Sequence, residues 1–209
     1  MGPYAYKPLG RGEIRLLKLH AKSSIGPLSG SLLHIPLTKP TYCQGPADSV
    51  YLEYLYPYDA ISYTWGTDTS TPFHLVIDQY YTIGVTVHLH YILEKIVQPD
   101  ANVLVWIDAI CINQADRDSE EKSQQIRLMP DVYRFAKRVQ VHLGPETDDS
   151  PLAVEFIEHI ADYAEYLDES LNASRSLEAY AVALEMGFHP PAKEDRTWNA
   201  LRSFWMRPW

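Results

Sequence analysis

The residues with the greatest chemical capacity lie directly behind two apolar runs. Val103 to Ile107 (VLVWI) is followed at once by Asp108, Ala109, Ile110, Cys111, Ile112, Asn113 and Gln114, and Asp59 to Trp65 (DAISYTW) ends at Gly66. A carboxylate just after a buried strand, with amide side chains five and six residues on, can orient a ribose or a nucleobase. The same groups can equally cap backbone amides and hold their own loop. Ser62 and Trp65, at the end of the other run, add a hydroxyl and an indole face. The candidate ligand-binding residues are therefore Ser62, Trp65, Asp108, Asn113 and Gln114. Cys111 paired with a histidine would be a nucleophile, but its neighbours Ile110 and Ile112 favour a small core residue. His88 and His90 have no acidic or thiol partner at ligand spacing, so no metal site is expected. The chain carries neither a glycine-rich phosphate loop nor a GxSxG elbow. Trp65 and Trp106 can stack on a base, although aromatics beside apolar runs usually belong to the core.

The elements that must position these groups follow from pattern and punctuation. Glu13 to Leu19 and Ser31 to Leu37 read as strands parted by a Ser-Ser-Ile-Gly-Pro turn, and Phe73 to Asp78 as another. Thr86 is placed to cap a helix whose apolar side would be Val87, Tyr91, Leu93 and Ile96, and which must stop before Pro99. The unbroken run Val103 to Ile107 suits a strand buried on both faces of a parallel sheet. Asp118 with Glu121 makes a capping box for a helix carrying Ile126, Met129, Val132, Tyr133 and Ala136. Pro130 inside it removes a backbone donor, so a kink or restart is expected there. Val139 to Leu143 alternates as a strand, and helices are expected at about 151–168, 174–186 and 196–206. Strand and helix alternating from 59 to 143 predicts an α/β fold with a mainly parallel sheet and flanking helices, behind an N-terminal β extension. The expected division is 1–50 for that extension and 51–209 for the main domain.

Composition narrows the function classes. The chain has 209 residues, 46% hydrophobic and 22% charged, enough to bury a core without a disulfide or metal staple. Two cysteines make no framework, which suits a reducing compartment. No apolar run of about 18 residues and no leader core is present, so a cytoplasmic protein without a membrane segment is expected. The net charge of −9 divides into +5 up to Ala47 and −14 beyond it, with nine carboxylates between Glu146 and Glu169. Such a surface repels phosphate backbones, which argues against a nucleic-acid partner.

The ordered motifs add a family resemblance. Tyr58-Asp59-Ala60-Ile61-Ser62-Tyr63-Thr64-Trp65-Gly66 resembles the Y-x-A-L-S-Y-x-W-G opening of the fungal heterokaryon incompatibility (HET) domain. Trp106-Ile107-Asp108-Ala109-Ile110-Cys111-Ile112-Asn113-Gln114 resembles its W-I-D-A-x-C-I-N-Q core. Glu121, Gln125, Met129 and Tyr133 fall where that family has its E-R-x-x-Q-V-x-x-M-x-x-I-Y helix, with Lys122 in place of the Arg, and Val139 to Gly144 is similar to its V-x-V-W-L-G strand. The resemblance implies fungal non-self recognition and programmed cell death, carried by a signalling module acting through self-association or protein partners. It also implies a TIR-like (flavodoxin-like) fold and, as an alternative activity, hydrolysis of NAD at the nicotinamide–ribose bond. A carboxylate near the ribose would stabilise the oxocarbenium-like centre of that reaction. The family's terminal motif continues into a Glu that aligns with the TIR catalytic residue; here Met206-Arg207-Pro208-Trp209 matches only its start, so a C-terminally incomplete domain is expected. An inactive remnant is then the other alternative. Glu120 or Glu121 could substitute for the missing carboxylate, but both suit the first turn of a helix. The resemblance assigns no cofactor with certainty, and NAD enters as a possible substrate.

Overall fold

A computed structural model describes residues 1–22, 26–44, 50–115, 120–144, 146–170, 191–192 and 195–206. Their contacts form two units, Met1–Gly144 and Pro145–Trp209.

The first unit is built on an eight-stranded sheet. Its strands are β1 (Gly2–Pro3), β2 (Glu13–Leu19), β3 (Ser29–Pro36), β6 (Asp59–Tyr63), β7 (Phe73–Ile77), β8 (Tyr81–Val85), β9 (Val103–Ile107) and β10 (Arg138–His142). A separate hairpin pairs β4 (Thr41–Gln44) with β5 (Val50–Glu53). The order across the large sheet is β1-β8-β7-β3-β2-β9-β6-β10. Four of its seven pairings are parallel, and three consecutive strands, β9, β6 and β10, form the continuous parallel block. The sheet is therefore mixed. Strands β2 and β3 from the N-terminal segment lie in its interior, β2 running antiparallel to both β3 and β9. Leu19 pairs with Gly30, where an added Cβ would come within 2.8 Å of the Lys18 carbonyl oxygen, so glycine is needed for the two backbones to approach.

Helix α1 (Val87–Ile96) starts at Thr86, whose hydroxyl accepts from the Leu89 amide at 3.2 Å. Its buried side is Leu89, Ile92, Leu93 and Ile96; Val87 and Tyr91, expected to face the core, are half exposed. The buried stripe begins at Leu89, two residues later than expected, and His88 beside it donates to the Thr64 carbonyl. A short helix, α2 (Asp108–Cys111), follows β9 directly, and α3 (Glu120–Phe135) passes through Pro130 as one helix. Pro130 is exposed, so its ring meets solvent rather than the core. Ile126 is also half exposed, whereas Val132 and Ala136 are buried and Met129 and Tyr133 pack against the core. Asp118 lies outside the described residues. Its expected partner Glu121 sends both carboxylate oxygens to the N-terminal segment, one to the Arg15 guanidinium at 2.9 Å and one to the Leu9 amide at 3.0 Å.

The core of this unit centres on Trp106, Ile107, Leu16, Leu17, Ile61, Leu75 and Ile77, all but completely inaccessible to solvent. The second unit contains α4 (Ser150–Ser170) and α5 (Arg196–Trp205), the latter capped by Asp195, which accepts from the Thr197 amide at 2.8 Å. Phe156 of α4 and Trp198 of α5 meet edge to face at 5.4 Å. The helix expected at 174–186 lies outside the described residues. No described helix is long and apolar enough to cross a membrane.

Candidate functional site

The chain leaves β6, forms β9 on one side of it, and then crosses back to form β10 on the other. A reversal of this kind opens a crevice beyond the carboxyl ends of the strands, because the two connections diverge there. The ends that meet at it are Ser62 and Tyr63 of β6, Ile107 and Asp108 after β9, and His142 of β10, which is in register with Tyr63.

Asp108 is the pivot. Its Oδ1 accepts from the Ala109 amide at 2.7 Å and its Oδ2 from the Trp65 indole Nε1 at 3.0 Å. Burial pushes its carboxyl above the ordinary aspartate value, while those two hydrogen bonds pull the other way. The expected pair Trp65 and Asp108 is thus brought together, with the indole face 41% exposed and open to a ligand. Ser62 lies alongside and bonds the Tyr133 hydroxyl. The two amides are committed to the loop: Gln114 Nε2 donates to the Asp108 carbonyl at 3.0 Å, and Asn113 Oδ1 accepts from the Ala115 amide at 3.1 Å. Cys111 is fully buried and its thiol is pushed up to about 12 by that burial, so it is a core residue without nucleophilic character. Trp106 is also core, edge-on to Tyr133 at 5.5 Å.

Four residues absent from the expected set complete the crevice: Tyr63, His88, Tyr133 and His142. Burial and then the Asp108 charge hold the phenols of Tyr63 and Tyr133 above the normal tyrosine value. His88 packs edge-on against Tyr63 at 5.7 Å and donates Nδ1–H to the Thr64 carbonyl at 3.0 Å. Burial and then His88 push the His142 imidazole below the ordinary histidine value, and its buried Nε2 has no hydrogen-bond partner among the described residues. The strand ends were visible in the sequence; that His88 reaches them from a helix first turn was not, because no spacing rule links a helix start to a strand end 25 residues earlier. The assembled group offers a partly desolvated carboxylate, which accepts hydrogen bonds, beside an exposed indole that can stack on a planar ring.

This α/β chain belongs to the heterokaryon incompatibility family: the family model described as Heterokaryon incompatibility protein (HET) matches residues 58–209. Among curated proteins it is similar to Heterokaryon incompatibility protein 6, OR allele, of Neurospora crassa, 33% identical over 180 residues. That match covers 73% of this chain and 23% of the relative, so the chain corresponds to under a quarter of the relative's length. No solved structure matches the chain significantly.

Proposed function

We propose that this heterokaryon incompatibility chain is a cytoplasmic signalling module that links fungal non-self recognition to cell death, acting through protein partners or self-association. The observation that carries the reading is the Trp65–Asp108 pair at the crevice, because it joins the two family motifs, Tyr58–Gly66 and Trp106–Gln114, in a single contact. The order β9-β6-β10, with the first strand of the block in its middle, supports a TIR-like (flavodoxin-like) arrangement. The division into an N-terminal segment, 1–50, and a HET domain, 51–209, is a proposal about evolutionary modules; the first supplies interior strands to the second. Inducible expression of the chain in a fungal host tests the reading: it predicts falling viable counts, and unaffected growth at good protein levels contradicts it.

A second reading is favoured by the state of Asp108. A carboxylate raised by burial beside an exposed indole suits a ribosyl group that gains positive charge, as in hydrolysis of NAD to nicotinamide. In this reading Trp65 stacks on a ring, Ser62 contacts the ribose, Asp108 faces the developing charge, and Asn113 and Gln114 hold the loop that presents it. Purified chain that releases nicotinamide no faster than its Asp108→Asn variant would exclude the hydrolase.

A further inference from the structure

A second cavity, away from the crevice residues, lies between the N-terminal arm and strand β3. Its volume is about 830 Å³, within the range of small-molecule sites. Most of its lining precedes residue 58, where the family match begins. The walls are Tyr4, Tyr6, Tyr56 and Tyr81, with His34 and Asp78 supplying further polar groups. Tyr4 stands edge-on to Tyr6 at 5.1 Å and to Tyr81 at 6.1 Å, so three rings surround one corner at nearly right angles. The Arg15 guanidinium lies 5.0 Å from the Tyr6 ring centroid, so this wall already accepts a cation on one face.

The polar groups here are unspent. Among the described residues no hydrogen bond or ion pair engages the Asp78 carboxylate, the His34 ring or the hydroxyls of Tyr4, Tyr56 and Tyr81. Asp78 and Gln79 occupy the β7–β8 turn at φ of 50° and 67°, a conformation that Asn or Gly adopts more easily. The turn therefore keeps a strained acid at the cavity edge. Its charge acts on Tyr4, whose phenol is raised first by burial and then by Asp78. Two cations lie nearby, Arg15 and Lys7. Arg15 is paired with Glu121 at 2.9 Å, although its charge still acts on Tyr4 and His34; His34 is lowered first by burial; and Lys7, like Asp78, is exposed.

From this geometry we infer that the cavity binds an organic cation, an alkylated or protonated amine with an apolar body, caged by Tyr4, Tyr56 and Tyr81 with Asp78 as counter-ion. Tyrosine faces attract a poorly hydrated cation through their quadrupoles, and the apolar strip Leu33 and Ile35 accommodates the attached carbon. This site is independent of the crevice and of any catalysis there.

The test titrates the full chain with choline and, separately, with its neutral tert-butyl isostere, by calorimetry or by chemical shifts of the tyrosine rings. Choline binds and the isostere binds at least about five-fold more weakly, the size of a cation–π and ion-pair contribution at a partly exposed site. Asp78→Asn, which suits the turn and preserves the fold, weakens choline about five-fold and leaves the isostere unchanged; Lys7→Met strengthens choline. Equal affinities for cation and isostere, unchanged choline binding in Asp78→Asn, or no choline binding in the wild type would each overturn the assignment.

Discussion

The crevice at the end of the parallel block and the cavity under the N-terminal arm use polar residues in opposite ways. In the crevice, Asp108, Asn113, Gln114 and Ser62 are largely engaged with their own surroundings, leaving Trp65 exposed and the buried His142 nitrogen without a partner among the described residues. In the cavity, an acid, an imidazole and three phenols line an open pocket with no protein partner among the described residues. A dense polar motif in a sequence therefore marks a loop that must be held as readily as a ligand that must be bound. Groups scattered over 80 residues can converge on a site that no motif announces.

One ion pair joins β2 to the first turn of α3, and breaking it has the largest expected effect. Arg15 is fully buried and donates to the Cys111 carbonyl at 3.2 Å, the Lys7 carbonyl at 2.6 Å and Glu121 at 2.9 Å, while Tyr6 donates to the Ile110 carbonyl at 2.8 Å. Arg15→Ala leaves these acceptors without their donor and should cost about 3–5 kcal/mol in denaturant unfolding. Glu121 keeps a quarter of its exposure, so Glu121→Gln should cost less, about 2 kcal/mol. Equal and small losses would show that the arm is not bound to the α2–α3 turn.

A smaller effect isolates the parallel block. Tyr58 donates its buried hydroxyl to the Val132 carbonyl at 2.6 Å, tying the start of β6 to α3. Tyr58→Phe should cost about 1–2 kcal/mol, since the carbonyl is left without this donor. Asp108→Asn sharpens the electrostatic side. Asp108 is raised in the fold, so the folded state holds its proton more tightly than the unfolded chain does. Its stabilising contribution is full below the ordinary aspartate value and is lost as pH rises through the raised one. Relative to the variant, the wild type should thus lose stability between acidic and neutral pH, and melting curves at several pH values would show the gap changing in that direction. A gap that changes oppositely means the hydrogen bonds from Trp65 and Ala109 outweigh burial. The smallest effect falls on the cavity turn, where Asp78→Asn should stabilise by a few tenths of a kcal/mol through relief of positive φ.

Much of the fold was legible because period and punctuation agree locally. Glu13–Leu19 and Val103–Ile107 emerge at their expected ends, and Thr86 caps as expected. The sheet's mixed character was not legible: a strand's residues do not state their neighbour, and β2 inserts between β3 and β9 through contacts about 85 residues apart in sequence. Strand β8 (Tyr81–Val85) was missed because Gly84 breaks its alternation; Thr71 lies against that glycine, where a Cβ would meet its hydroxyl at 2.8 Å. At the site, the motif residues were visible, but His88 acquires its meaning only through its contacts with Tyr63 and Thr64, and His142 only through its pairing with Tyr63.

Viability decides most directly whether the crevice carries the signal. The wild type, Asp108→Asn and Asp78→Asn would be induced side by side in a fungal host at matched protein levels. The account predicts that the wild type and Asp78→Asn lower viable counts and that Asp108→Asn restores growth. Equal killing by all three, or normal growth with the wild type, would contradict it.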